Sequence, residues 1–207
     1  MKNIERPEGV IFDLGGVILD FDHMVTCRPL AELSGMAPEE VFETVFASGL
    51  ERLYDKGKIT TDEFYAEGLS LLGIPRAELP PERFREAWNR IFTLKADVVD
   101  IVRGLRGKTR LFMLSNTNEL HWEYAAREHP VLSELFDDIF LSFRLGARKP
   151  EPEIFRKVID AIGIPAKGLF YVDDLAGHVE AARRAGIEGL VFTTPGELAG
   201  RLASLGL

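Results

Sequence analysis

Four places in this sequence set residues that can handle an anion at the end of an apolar run or just after a loop. Asp13 follows Val10-Ile11-Phe12, with Gly15 and Gly16 close behind it. Ser115-Asn116 closes the run RLFMLS, Lys149-Pro150 follows a loop, and Asp173-Asp174 follows LFYV. An acid between two hydrophobic runs destabilises the fold if it is buried without partners. Clustered carboxylates also raise each other's pKa unless a cation joins them. Oxygen-only ligands select a hard ion, and Mg²⁺ takes one or two carboxylates together with waters and phosphate oxygens. Lys149 and the Ser115 hydroxyl would then hold the phosphate oxygens left free by the ion. Gly15 and Gly16 let the backbone come close to a ligand and turn their N–H groups toward an anion. Asp13 becomes a nucleophile for phosphoryl transfer, a reaction run mainly by positioning and charge stabilisation. Each piece alone has a plainer reading: a helix cap for Asp13 or Asp173-Asp174, a turn for Ser115-Asn116, a solvated loop for Lys149. Their order along the chain favours the chemical one.

That chemistry requires the pieces to reach one edge of a sheet. Residues 10–12, 110–115, 138–142, 169–172 and 189–192 read as buried strands. They alternate with amphipathic helix patterns at 97–105, 153–164 and 178–187. Such alternation predicts an α/β fold with a Rossmann-like, mainly parallel sheet. Ligands in these sheets bind beyond the carboxyl ends of the strands, where Asp13, Ser115 and Asp173 fall. Residues 21–92 differ, showing helix patterns and no strand. Thr60 and Glu63 form a capping box ahead of an apolar face drawn through Phe64 and Leu71, and another helix starts at Ala37-Pro38-Glu39-Glu40. The expected organisation is a core of residues 1–20 and 93–207 with a small α-helical cap, 21–92, inserted after the first strand.

The chain has 207 residues, 46% hydrophobic and 28% charged, with a net charge of −8. That balance argues against a general affinity for nucleic acid or anionic membranes. A single cysteine, Cys27, reads as a small buried hydrophobe and suits a reducing compartment. The N-terminal MKNIERPEGV is unlike a signal peptide, and no apolar stretch reaches the roughly 20 residues that span a bilayer. A cytoplasmic monomer or homodimer is the expectation.

The motifs resemble those of the haloacid dehalogenase superfamily over nearly the whole chain. FDLGGVILD is similar to its first motif, MLSNTN to its second, RKPEPEIF to its third and YVDDLAGHVEAARRAG to its fourth. The resemblance implies Asp13 as aspartyl nucleophile, Ser115 and Asn116 on phosphate, and Lys149 stabilising charge; Arg148, beside it, is expected to point to solvent. It implies Mg²⁺ held by Asp13, the Gly15 carbonyl and Asp174, with Asp173 as acidic neighbour, and a phosphoaspartyl intermediate hydrolysed by water. The Asp-Leu-Gly-Gly start, Ser-Asn-Thr-Asn and Gly57-Lys58-Ile59-Thr60 look most like a bacterial subgroup that includes glucose 1-phosphate phosphatases. That subgroup is similar to the N-terminal phosphatase domain of soluble epoxide hydrolases.

The sequence departs from the superfamily at one position. Most of its phosphatases carry a second aspartate two residues after the nucleophile as general acid and base, and here that position is Gly15. A positioned acid contributes roughly 10²–10⁴-fold. Asp20, Asp22 and His23 are the nearby substitutes, each with a plainer duty as hinge, helix cap or packing residue. His121, His129 and His178 read as surface or packing residues, and Trp88 and Phe92 as cap packing. The leading function is a Mg²⁺-dependent phosphatase of a small phosphorylated metabolite. Two others stand beside it: a 2-haloacid dehalogenase, which needs no acid at Gly15, and a pseudoenzyme that binds a phosphometabolite.

Overall fold

A computed structural model describes residues 6–207, the side chain of Ala47 aside. The first half of the polar N-terminal stretch lies outside the described residues. The centre of the molecule is a five-stranded sheet of β1 (Gly9–Phe12), β4 (Arg110–Ser115), β5 (Asp138–Leu141), β6 (Leu169–Asp173) and β7 (Glu188–Val191). Its order is β5-β4-β1-β6-β7 and every pairing is parallel. Helices cover both faces, so the strands read as unbroken apolar runs. Val10, Phe12, Leu111, Met113, Phe170 and Val172 pack on one face, against Val98 and Val102 of α6 (Ala96–Gly104) and Leu198 and Leu202 of α12 (Pro195–Ser204). Ile11, Phe112, Leu114 and Tyr171 point to the other, against Ile154, Phe155 and Val158 of α10 (Pro152–Ile162) and Val179 of α11 (Ala176–Arg184). This alternation follows from the two-residue period of a strand. Each fully buried large side chain contributes about 1.5–3 kcal/mol relative to exposure.

The register decides which residues meet. Phe12 lies beside Met113 on one side and Val172 on the other. One residue further, Asp13 comes level with Leu114 and Asp173, and its N–H donates to Val172 O at 2.8 Å. The carboxyl ends of three central strands therefore open on one crevice.

Five helices lie between β1 and α6: α1 (Met24–Ser34), α2 (Pro38–Phe42), α3 (Leu50–Asp55), α4 (Thr61–Leu72) and α5 (Pro81–Asn89), with a π-helical turn at Glu43–Ala47. They share a hydrophobic cluster that includes Cys27, Leu30, Val41, Tyr54, Phe64 and Trp88. It also takes in Leu120 of α7 (Glu119–Glu128), so the helices are docked on the core. The capping box forms at the start of α4: Thr60 Oγ1 accepts from Glu63 N at 3.2 Å, and Glu63 Oε2 accepts from Thr60 N at 2.7 Å.

Two expectations need correction. The apolar face of α4 runs through Thr61, Phe64, Tyr65, Gly68, Leu69 and Leu72, a regular 3-and-4 spacing, while Leu71 falls off that stripe and is 44% exposed. The helical segment is also not free of strand. Phe21 and Phe92, at its two ends, pair in an antiparallel ribbon of β2 (Leu19–Phe21) and β3 (Phe92–Leu94). Both strands are three residues long, too short to show a period in the sequence.

Candidate active site

Lys149 is the hub of the crevice. Its Nζ stands 2.7 Å from Asp13 Oδ1 and 2.7 Å from Asp173 Oδ2, and donates to Leu114 O at 3.1 Å. The side chain is fully buried. Burial works against its charge, but Asp13 and Asp173 hold its pKa above the ordinary lysine value. Asp173 is saturated with donors: Lys149 Nζ, the Tyr171 hydroxyl, Leu175 N at 2.8 Å and His178 Nδ1 at 3.0 Å. Burial raises its pKa, but Lys149 and the His178 hydrogen bond outweigh that and keep it below the usual carboxylate range. Asp13 has fewer partners, Lys149 and the Leu14 N–H at 2.7 Å, and burial pushes it up to about 8. Asp174 is half-buried, and burial, then the charge of Asp173, raises its pKa as well. A cation at this edge would relieve both Asp13 and Asp174.

A cavity of about 270 Å³ opens above these residues. Asp13, Gly15, Ser115, Asn116, Asp174 and His178 line its floor, and Phe21, His23, Glu51 and Asp55 come from the helical side. Ser115 is buried, and its hydroxyl makes only a long 3.4 Å contact with Asn116 O, so it is free for a ligand.

The fold has the features of one known family. A family model described as a haloacid dehalogenase-like hydrolase matches residues 7–186. The chain belongs to the haloacid dehalogenase-like hydrolase family. It is 31% identical over 190 residues to a D-ribitol-5-phosphate phosphatase from Bacteroides thetaiotaomicron, covering 87% of this chain and 89% of that protein. It is 28% identical to a sesquiterpene phosphatase from Aspergillus oryzae, covering 90% of each. A crystallised family enzyme from Bacteroides thetaiotaomicron superposes with a TM-score of 0.83 at 27% identity, over 91% of this chain and 95% of that one. Its wild-type form has been crystallised in complex with magnesium and inorganic phosphate, where the TM-score is 0.79. These two relatives are named for substrates other than glucose 1-phosphate, and what they share with this chain is the haloacid dehalogenase-like family.

Several residues of this haloacid dehalogenase-like chain stand elsewhere than the sequence suggested. Gly16 does not offer its N–H to a ligand, because that group donates to Leu19 O at 2.8 Å and closes the turn after Asp13. Its φ of +74° and a Cβ position only 2.2 Å from Asp174 Oδ2 explain the glycine: side-chain space there is taken by the Asp174 carboxylate. Asn116 spends its amide on Lys149, donating to its carbonyl at 2.9 Å and accepting from its N–H at 2.8 Å. Arg148 is not turned to solvent. It lines the cavity with Nη2 3.7 Å from Asp55 Oδ2, and its Nε is buried without a partner. His178 is no bystander either, since it bonds Asp173 and lines the floor.

His121 does pack as expected, stacked on Trp88 with ring centroids 5.3 Å apart, but also borders the cavity, as do His23 and Phe92. Asp20 pairs with Lys95 at 2.8 Å and Asp22 caps Met24 N at 2.9 Å, and neither reaches the cavity. Glu51 and Asp55 were not singled out from the sequence. Their spacing of four within α3 puts both carboxyls on one helix face, a signal available only once a helix was recognised there.

Proposed function

We propose that this chain is a Mg²⁺-dependent phosphatase of a small phosphorylated metabolite, acting through a phosphoaspartyl intermediate on Asp13. The observation that carries the reading is Lys149 Nζ, 2.7 Å from Asp13 Oδ1, between that carboxylate and Asp173. Phosphatase relatives at 31% and 28% identity support it, as does a neighbouring structure that binds magnesium with phosphate.

Asp13, the Gly15 carbonyl and Asp174 would hold the ion, with Asp173 adding charge from behind while it fixes Lys149. The donor set fits: it is all oxygen, two of its carboxylates are raised by burial, and Gly16 leaves Asp174 the space it needs. When bound, Mg²⁺ neutralises phosphate charge and keeps Asp13 ionised. Asp13 attacks phosphorus as the bond to the leaving oxygen breaks, and water then cleaves the phosphoaspartate to release phosphate and regenerate the carboxylate. Lys149 and Ser115 hold the non-bridging oxygens and the charge that builds on them.

The test uses purified protein and p-nitrophenyl phosphate, with Mg²⁺ or with EDTA. Phosphate release that needs Mg²⁺ and disappears in Asp13→Asn supports the reading. Undiminished release by Asp13→Asn removes Asp13 from the mechanism, and release that ignores EDTA removes the ion.

A further inference from the structure

We propose that Glu51 of α3, which lines the same cavity as Asp13, is the acid that protonates the leaving oxygen, the task for which Gly15 has no side chain. The proposal deepens the phosphatase reading and rests on it. Asp13 and Gly15 from the end of β1 and Glu51 from α3 line the same cavity, so a phosphate ester held on Asp13 shares that cavity with the Glu51 carboxyl.

The other titratable groups around the cavity are committed. His121 uses Nδ1 with Asn118 and Nε2 with Trp88 O, and His178 is bound to Asp173. Asp55 accepts from Asn118 Nδ2 at 3.2 Å and faces Arg148 at 3.7 Å. His23 is wedged between Phe21 and Phe46, and burial lowers its pKa, so at neutral pH it carries no acidic proton. Neither Glu51 nor His23 makes a side-chain hydrogen bond or ion pair with the described residues, and of the two only Glu51 is a carboxylic acid.

Its surroundings suit proton donation. Burial, then the nearby Asp55 carboxylate, pushes the Glu51 carboxyl up to about 8, so it is protonated at neutral pH. The charged groups facing it are Asp55 on its own helix and Arg148 from the loop ahead of α10, and His23 and His121 line the same cavity. Arg148 favours the carboxylate that remains after the proton has gone. The step balances. Asp13 forms an O–P bond as the P–O bond to the leaving group breaks, and the Glu51 proton goes to the departing oxygen. In the second half, the Glu51 carboxylate takes a proton from the attacking water, phosphate leaves Asp13, and both side chains are restored.

The experiment is a series of phosphate esters from p-nitrophenyl phosphate to simple alkyl phosphates, with Mg²⁺, on wild type and Glu51→Gln. Wild-type kcat/KM should depend weakly on leaving-group pKa. Glu51→Gln should lose roughly 10²–10⁴-fold on alkyl esters and less than about threefold on the aryl ester, whose leaving group needs no acid. Inorganic phosphate should bind the variant as it binds wild type, which reports the fold. In wild type itself, kcat/KM for an alkyl ester should fall above pH about 8 while the aryl ester does not follow it. Equal losses on every ester, or none, overturn the proposal, and so do superimposable alkyl and aryl pH profiles. Absence of phosphate release by wild type from any ester is a different failure, that of the phosphatase reading beneath it.

Discussion

Asn116 grips Lys149 by the backbone, its Nδ2 on the Lys149 carbonyl at 2.9 Å and its Oδ1 on the Lys149 N–H at 2.8 Å. The ammonium between Asp13 and Asp173 therefore rises from a main chain fixed by a residue on the neighbouring strand end. Asn116→Ala should let that loop shift, and a 1 Å displacement of a reacting group costs roughly 10²-fold in rate. A kcat within twofold of wild type, in a variant that melts normally, would show that the loop holds its place without Asn116.

Lys149→Met and Arg148→Met should differ in kind. Lys149→Met leaves two buried carboxylates without their ammonium, which destabilises by about 3–5 kcal/mol and removes activity together with stability. Arg148 sits at 3.7 Å from Asp55 with a quarter of its side chain exposed, so Arg148→Met should change stability much less. Urea denaturation at pH 7 reads both, and equal losses would mean that the hub is misassigned.

Gly16→Ala should weaken Mg²⁺ dependence without touching a ligand. A methyl group there would lie 2.2 Å from Asp174 Oδ2, at a φ of +74° that costs an L-residue about 1–2 kcal/mol. Asp174 must swing away, and a Mg²⁺ titration of phosphate release should move to higher concentration. An unchanged titration midpoint would dissociate Asp174 from the ion.

His121 makes acid a specific threat to the fold. Burial lowers its pKa to about 3, well below the 6.5 of an exposed imidazole, and both ring nitrogens are satisfied in the neutral form. Its contribution is therefore complete above pH 6.5 and is lost as pH falls toward 3, at up to about 1.4 kcal/mol per pH unit. Stability of wild type should fall more steeply between pH 6.5 and 4 than that of His121→Gln, while parallel curves would mean that the imidazole titrates freely.

The floor of the site was legible because strand ends deliver it. Asp13, Ser115 and Asp173 follow apolar runs whose type and order alone predict a parallel sheet, and the register then brings them together. Legibility failed where a side chain's destination depends on geometry that no spacing encodes. Both Gly16 and Asn116 read as ligand contacts, yet the Gly16 N–H turns to Leu19 O and the Asn116 side-chain amide to the Lys149 backbone. Arg148 was assigned to solvent, and the docked helices cover it. Glu51 and Asp55 stayed hidden because α3 has only six residues, too few for an amphipathic pattern to declare which face meets the core.

The ribbon that joins Phe21 to Phe92 brings the two crossings between sheet and helices to one point. A chain built this way has a natural splice. Asp13, Ser115 and Asp173 come from the strand ends and Lys149 from a loop beside them, whereas Glu51 and Asp55 come from the inserted helices. Exchanging residues 22–91 as a block keeps the paired strands that locate it, so a lineage can retarget the reaction without rebuilding its chemistry. Because Glu51 travels with the block, such an exchange also imports the proton donor, and each inserted segment has to bring its own.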